Sequence, residues 1–371
     1  MISPSNAMQA AHLLLNDQQL SNRTLLLDFN GYCLRLLSNA PQILQELAEY
    51  FRPFVRQSSH SSIRDLIIIE SQSFPFELDW SDWSREAGKS NRKDACADLL
   101  DARVIKKVRT GMMFLQSATH LIASGPSLAN LNQVINFINN QFMIWLQHHN
   151  WLICHASAVA KGQVSVAFAG FSGGGKSTTM LHLMNAADCS YVTNDRLFIR
   201  VNDEGVEAQG IPKLPRVNPG TLMHNPRLHN ILPEQEHARL ENMPVEELWQ
   251  LEQKYDVDIE DTYGRPQQLA KTQLRHLVIL NWQRDADTAT TIQPVKEQRL
   301  IDLLPAIMKS AGPFYYSPEG EFFKDRTPLS VEQYQAVLQH VTLWEVSGKV
   351  DFDCVVNHCL SLWGTAEMDK K

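Results

Sequence analysis

The chain has 371 residues, enough for about two domains of ordinary size. Hydrophobic residues make up 44% and charged residues 20%, a balance that supports a sizeable core and excludes a mainly disordered or fibrous chain. With 34 Lys+Arg against 41 Asp+Glu the net charge is -7, so no global positive field exists to recruit nucleic acid or an anionic membrane. No apolar run reaches membrane-helix length, and the opening Met-Ile-Ser-Pro-Ser-Asn lacks the basic-then-apolar pattern of a signal peptide, so the expectation is a cytoplasmic protein. Six thinly spread cysteines read as reduced, mostly core thiols.

In chain order, Thr24 to Phe29 and Tyr32 to Leu37 flank Asn30-Gly31, the dipeptide best suited to a tight hairpin turn. Ile43, Leu44, Leu47 and Phe51 then recur at helical spacing, and Leu66 to Ile69 is a short apolar strand. The polar stretch from Asp79 to Asp94, with Trp80 and Trp83, reads as a surface excursion. Arg103, Lys106, Lys107 and Arg109 around Val104 and Ile105 read as a solvated face. Ser124-Gly-Pro126 marks the expected boundary between a small N-terminal α+β module, 1–125, and a second domain, 126–371. Beyond it, Ile135, Ile138, Phe142 and Trp145 form a helical stripe.

Trp151 to Ala160 and Val164 to Ala169, joined across Lys161-Gly162, read as two antiparallel strands. The acidic segment from Arg239 to Asp261, which includes Glu252, reads as a solvated helix face and loop. Leu274 to Leu280 reads as a buried strand and Val331 to Leu343 as a late helix. Cys354, His358 and Cys359 lack the paired spacing of a zinc site.

One motif carries chemistry. Gly170-Phe-Ser-Gly-Gly-Gly-Lys176-Ser177 fits G-x-x-x-x-G-K-[ST], after an apolar strand and before a helix whose Met180, Leu183, Met184 and Ala187 share a face. Gly170, Ser172, Gly173, Gly174, Gly175, Lys176, Ser177 and Thr178 are therefore the expected nucleotide cradle. Glycines let successive backbone N–H groups turn toward a polyphosphate, and the helix N-terminus adds partial positive charge. Lys176 is expected on the β- and γ-phosphates of ATP and Ser177 on Mg²⁺. The same residues satisfy G-x-S-x-G with Ser172 as a hydrolase nucleophile, but that chemistry has no use for the following Gly-Lys-Ser.

A P-loop site needs an acidic partner for the metal or the nucleophile, and Asn194-Asp195-Arg196 supplies one close by. Neither an Asn-Lys-x-Asp guanine-reading motif nor a Leu-Ser-Gly-Gly-Gln signature occurs, which disfavours a GTPase or a transporter ATPase. Lys213 and Arg216, in a proline-rich loop, are two close cations suited to a phosphate or an acidic substrate group, or else an ordinary surface loop.

With His155 in His-Ala-Ser, the loop from Gly170 to Ser177, Asn194-Asp195-Arg196 and the stretch from Gly210 to Gly220, the sequence resembles the HPr kinase/phosphorylase superfamily, and within it the HprK-related kinase B family. The resemblance is firm over about residues 150–200. It implies a P-loop α/β fold of the HPr kinase and phosphoenolpyruvate carboxykinase type, Mg-ATP as cofactor, phosphoryl transfer to a hydroxyl of a protein, and self-association. It also implies catalytic roles for Lys176, Asp195, His155 and Arg196, with Ser177 on the metal and Asp195 either on the metal or a substitute base, and with His155 either polarising a phosphate, acting as acid or base, or purely structural. The chain departs from the family at Asn194, where HPr kinases have the Asp understood as the base; an amide cannot accept that proton. The Ile-Arg-Gly and Pro-Val-x-x-Gly-Arg-Asn signatures are also missing. Two rivals follow: a nucleotide-binding regulator that transfers nothing, and a small-molecule kinase on the same fold.

Overall fold

The computed structural model describes residues 3–59, 61–84, 94–171, 173–251, 253–325 and 327–368. The chain forms two compact units, one of residues 1–149 and 311–328, the other of 150–310 and 329–371.

The first unit is built on a nine-stranded mixed sheet, larger than the small module expected. Its Thr24–Phe29 and Tyr32–Ser38 strands form the expected antiparallel hairpin. Asn30 and Gly31 both have positive φ (56° and 93°), the geometry of a primed two-residue turn. The Pro41–Tyr50 helix buries Ile43, Leu44 and Leu47, and the apolar stretch at 66–69 lies inside the Ile63–Glu70 strand. The long Leu131–His148 helix packs Phe142 against Phe29 (5.6 Å between ring centroids) and Phe137 against Phe114 (4.9 Å), both tilted. The division therefore follows this helix instead of falling at residue 125, because the helical stripe is covered by the N-terminal sheet. Of the polar excursion, Ser81–Asp82 is an exposed strand, and residues 85–93 lie outside the described residues.

The basic run belongs to the Ala102–Lys107 strand, and Arg103 is only 3% exposed instead of solvated. Its guanidinium pairs with Asp98, donates to the carbonyls of Pro313 (3.1 Å) and Phe323 (2.8 Å), and lies 4.9 Å from the Phe322 ring. These oxygens are what make a buried cation affordable, and they fasten the returning 311–328 segment.

The second unit is a seven-strand path through a mixed sheet, flanked by helices. Strands β1 (Leu152–Cys154), β2 (Ala156–Lys161), β3 (Val164–Gly170) and helix α1 (Lys176–Ala186) come first. Then follow β4 (Ser190–Thr193), β5 (Leu197–Asn202), β6 (Gly205–Gln209) and the central β7 (Thr272–Leu280). Helices α2 (Glu297–Ile307) and α3 (Val331–Leu338), strand β8 (Thr342–Ser347) and helix α4 (Phe352–Met368) complete the unit. The order is β1-β5-β6-β7-β3-β2-β4, with β8 parallel to β7. The late helix stops at Leu338 instead of Leu343, because Thr342-Leu-Trp-Glu-Val-Ser is rich in strand formers and pairs with the central strand. Val166, Phe168, Met180 and Val278 pack one core face of the sheet; Ala167, Leu277, Ile279 and Leu304 pack the other. Glu252, in the acidic segment, lies outside the described residues, and the segment's Leu240 and Leu248 reach the core. Among the described residues no helix is long and apolar enough to cross a membrane.

Replacing Arg103 by Ala strips two carbonyls of a charged donor, and the expected loss is about 2–3 kcal/mol. The check is urea unfolding together with limited proteolysis, in which 311–328 should be cut faster than in the parent.

Candidate functional site

Three strand ends lie side by side. Ala156 in β2 pairs with Ala169 in β3, and Ala158 with Thr193 in β4, so His155, Gly170 and Asn194 come to one edge of the sheet. The expected continuous strand from Trp151 breaks at His155. On one side β1 pairs with β5, on the other β2 pairs with β3, and the His155 N–H donates to the Ile307 carbonyl (2.7 Å).

The glycine loop runs from the end of β3 into α1. A Cβ on Gly170 would lie 2.9 Å from the Leu280 carbonyl oxygen, and one on Gly174 would lie 3.0 Å from the Phe171 carbonyl oxygen. Gly173 and Gly175 have φ of 80° and 86°, left-handed values that favour glycine. Trp282 donates its indole N–H to the Gly174 carbonyl (2.9 Å), and its ring meets Phe352 edge-on (5.2 Å) against Gly175. Ser172 lies outside the described residues.

Lys176, 9% exposed, folds back over the loop and donates to the carbonyls of Gly170 (2.7 Å) and Phe171 (3.2 Å). Its own carbonyl accepts from the buried Ser157 hydroxyl (3.0 Å), which ties α1 to β2. The half-buried Ser177 hydroxyl has no protein partner among the described residues. The Thr178 hydroxyl is hydrogen-bonded to that of Thr221 (2.8 Å), and its backbone N–H lies in the helix's first turn, where no intrahelical acceptor exists. The first turn of α1 presents N–H groups with no intrahelical acceptor, the arrangement that attracts anions.

Beside the loop, His155 Nε2 and Asp195 Oδ1 are 3.1 Å apart, and Asp195 Oδ2 is paired with Arg196. Burial works to raise Asp195, but Arg196, His155 and Lys213 hold its carboxyl well below the usual carboxylate range. Burial lowers the His155 imidazole, aided by Lys176, while its hydrogen bond to Asp195 pulls it back up. An ionised carboxylate can only accept, so the neutral ring carries its proton on Nε2 and keeps the lone pair on Nδ1. Asn194 Oδ1 is buried with no hydrogen-bond partner among the described residues.

Of the residues expected from the sequence, His155, Asp195 and Arg196 lie in contact beside the loop that carries Lys176. Sequence reasoning gave no sign of Trp282 and Phe352, which arrive from distant segments with no motif to flag them. The Gly210–Arg216 loop is drawn in as well: a Cβ on Gly210 would lie 1.9 Å from the Val192 carbonyl oxygen. Tyr191 donates its hydroxyl to the Lys213 carbonyl (2.8 Å), and Arg216 pairs with Asp256 (2.9 Å). A cavity of about 330 Å³ lies at the other end of α1, between residues 184–189, Arg227, Tyr263 and Arg265. Neither Lys176 nor His155, Asp195 or Arg196 lines it, and its Arg265 is paired with Asp188.

No family model and no curated protein matches the chain. Among solved structures, the Hpr(Ser) kinase/phosphatase from Coxiella burnetii is similar over 59% of this chain and 96% of its own, at 12% identity and a TM-score of 0.26. Likeness at that level fixes neither fold nor site. The class stands on the chain's own residues: a mixed α/β protein with a strand, a glycine-rich loop and a helix around a buried lysine.

Replacing Asp195 by Asn removes the negative charge that raises His155, exchanges a carboxylate acceptor for a weaker amide one, and leaves burial, Lys176 and Lys309 to lower the ring. The ring's pKa is expected to fall further below its ordinary value, as read from its ring protons by NMR titration; an upward move would refute the pairing.

Proposed function

We propose that this protein is an Mg-ATP-dependent kinase of the HPr kinase type, transferring the γ-phosphoryl group to a hydroxyl, most simply on a protein. The observation that carries this reading is the Lys176 ammonium held on two loop carbonyls at the N-terminus of α1, beside the His155–Asp195–Arg196 cluster. The cradle fits a polyphosphate: its glycines adopt conformations or close approaches that a side chain would disturb, and the helix end offers free donors. It also fits Mg²⁺, which takes few protein ligands when phosphates and water complete its shell; here these would be the Ser177 hydroxyl and the Asp195 carboxylate. Among the described residues no group of three or more His, Cys, Asp or Glu is arranged for a metal, so the fit is a two-residue one.

Bound Mg-ATP would supply the phosphoryl group and the electrophilic phosphorus. Lys176 would exchange its carbonyl partners for phosphate oxygens, which costs little because both states give the ammonium oxygen contacts. Arg196 would balance negative charge near Asp195. His155 is the group able to take a proton, at Nδ1, while Nε2 stays fixed on Asp195. Self-association, cytoplasmic location and the alternative of a metabolite as acceptor belong to the same proposal.

A second reading has its own observation. Asn194 places an amide with a buried, unpartnered oxygen where a base would be useful, which favours a nucleotide-binding regulator without transferase activity. Purified protein incubated with γ-labelled ATP, Mg²⁺ and an extract of its source cells separates the two. A kinase yields a labelled species that falls at least about a hundredfold in Lys176→Ala. ATP binding without transfer, with label appearing only in Asn194→Asp, would establish the regulator instead.

A further inference from the structure

Three consecutive peptide planes in the glycine loop are each fixed at one end. The Gly174 N–H donates to the Phe171 carbonyl (3.0 Å), within the loop. The Gly175 carbonyl accepts from the Thr179 N–H (2.8 Å) and hydroxyl (3.0 Å), within α1. The peptide between them, Gly174–Gly175, is held from outside, by the Trp282 indole N–H on the Gly174 carbonyl (2.9 Å).

That middle peptide is the one that most needs a hold. With glycine on both sides it lacks the Cβ contacts that ordinarily favour one orientation of a peptide plane, so the local chain does little to stop it turning over. In a trans peptide the C=O and N–H point in opposite directions, and the described residues contain no cis peptide. Fixing the Gly174 carbonyl on Trp282 therefore turns the Gly175 N–H away from the indole. Gly175 is the residue that precedes the first turn of α1, where anions are favoured, and among the described residues its N–H has no hydrogen-bond acceptor.

Trp282 is itself held on every side. The backbone before and after it is bonded to the end of β8: the Asn281 N–H donates to the Val346 carbonyl (2.9 Å) and the Gln283 N–H to the Gly348 carbonyl (2.9 Å). Its ring is 9% exposed and meets Phe352 edge-on at 5.2 Å. A Cβ on Gly175 would lie 2.9 Å from the Phe352 ring and 3.4 Å from that of Trp282. An indole so enclosed, with its N–H committed to the loop, has little face left for stacking on a base and is suited to the phosphate end of a nucleotide.

We propose that Trp282 is a positioning residue of the nucleotide cradle: by holding the Gly174 carbonyl it keeps the Gly175 N–H turned out as a donor to a phosphate. The assignment rests on the nucleotide reading given above. It makes the end of the central strand β7 part of the phosphate-binding machinery, through one hydrogen bond, and it makes the contribution of Trp282 independent of the base.

The test is calorimetric titration of the full chain, with Mg²⁺, against ADP and against inorganic pyrophosphate, which has the phosphates and lacks the nucleoside. The variants are Trp282→Phe, which keeps a ring against Phe352 and removes the N–H, and Trp282→His, whose Nε2–H occupies the same ring position as the indole N–H. Thermal melts confirm that both are folded. Trp282→Phe is expected to weaken ADP and pyrophosphate alike, by about tenfold, the worth of one hydrogen bond to a charged group, and Trp282→His to recover most of that loss. In the parent with ¹⁵N-labelled glycine, the Gly175 amide signal is expected to move when pyrophosphate is added. Weakening of ADP alone would show that the ring meets the base, equal losses in the two variants would show a packing role, and no loss in either would show that the carbonyl needs no anchor. Each of these, or a Gly175 amide that stays in place, overturns the assignment and leaves the kinase reading standing. A parent that binds neither ligand overturns the kinase reading and this assignment together.

Discussion

A buried ammonium must find oxygen, and Lys176 finds it on the carbonyls of Gly170 and Phe171. Those carbonyls face inward only because the loop between β3 and α1 takes conformations that Gly173 and Gly175 allow, while Gly170 and Gly174 pass close to neighbouring backbone. Leu280, at the end of the central strand, sets one limit on that approach, and Trp282, two residues on, holds the Gly174 carbonyl from the other side. The loop is thus shaped by the sheet register of β3 against β7, and the lysine's position follows from both.

The second layer of the site follows from the antiparallel pairing of β2 with β3 and β4. Because β2 runs opposite to both, its first residues meet the last residues of its neighbours, and His155 is brought to Asp195 although 39 residues separate them in the chain. The break in the strand at His155 matters here. Hydrogen bonding of its N–H to Ile307 frees the residue from the ladder and turns it to the site, at a place where a continuous strand would have kept strict alternation.

What the sequence makes legible is local. The Asn30-Gly31 turn, the helical stripes at 41–50 and 131–148 and the glycine loop are each coded within a few residues of one another, and each forms as read. What it hides is the choice between local preference and distant pairing. Thr342 to Ser347 becomes a strand because β7 is there to receive it, and the 131–148 helix joins the first unit because Phe29 and Phe114 cover it. Arg103 reads as one more exposed cation until Pro313 and Phe323 return to it from far along the chain. The site divides in the same way: Lys176 and Asp195 stand in motifs, whereas the path of the Gly210–Arg216 loop depends on Gly210 fitting against Val192, a contact no spacing rule reveals.

The electrostatics of the cluster bear on what Asn194 means. A carboxylate at that position would be a second negative charge beside Asp195, competing for Arg196 and Lys213, and burial would raise its affinity for a proton. The amide removes that competition, and Asp195 stays ionised beside Arg196 and His155. An ionised Asp195 in turn fixes the tautomer of His155 and leaves Nδ1 as the basic atom. An amide at position 194 therefore does not leave the cluster without a basic atom. That atom belongs to an imidazole whose protonation is set by burial, by its hydrogen bond to Asp195 and by the nearby Lys176 and Lys309.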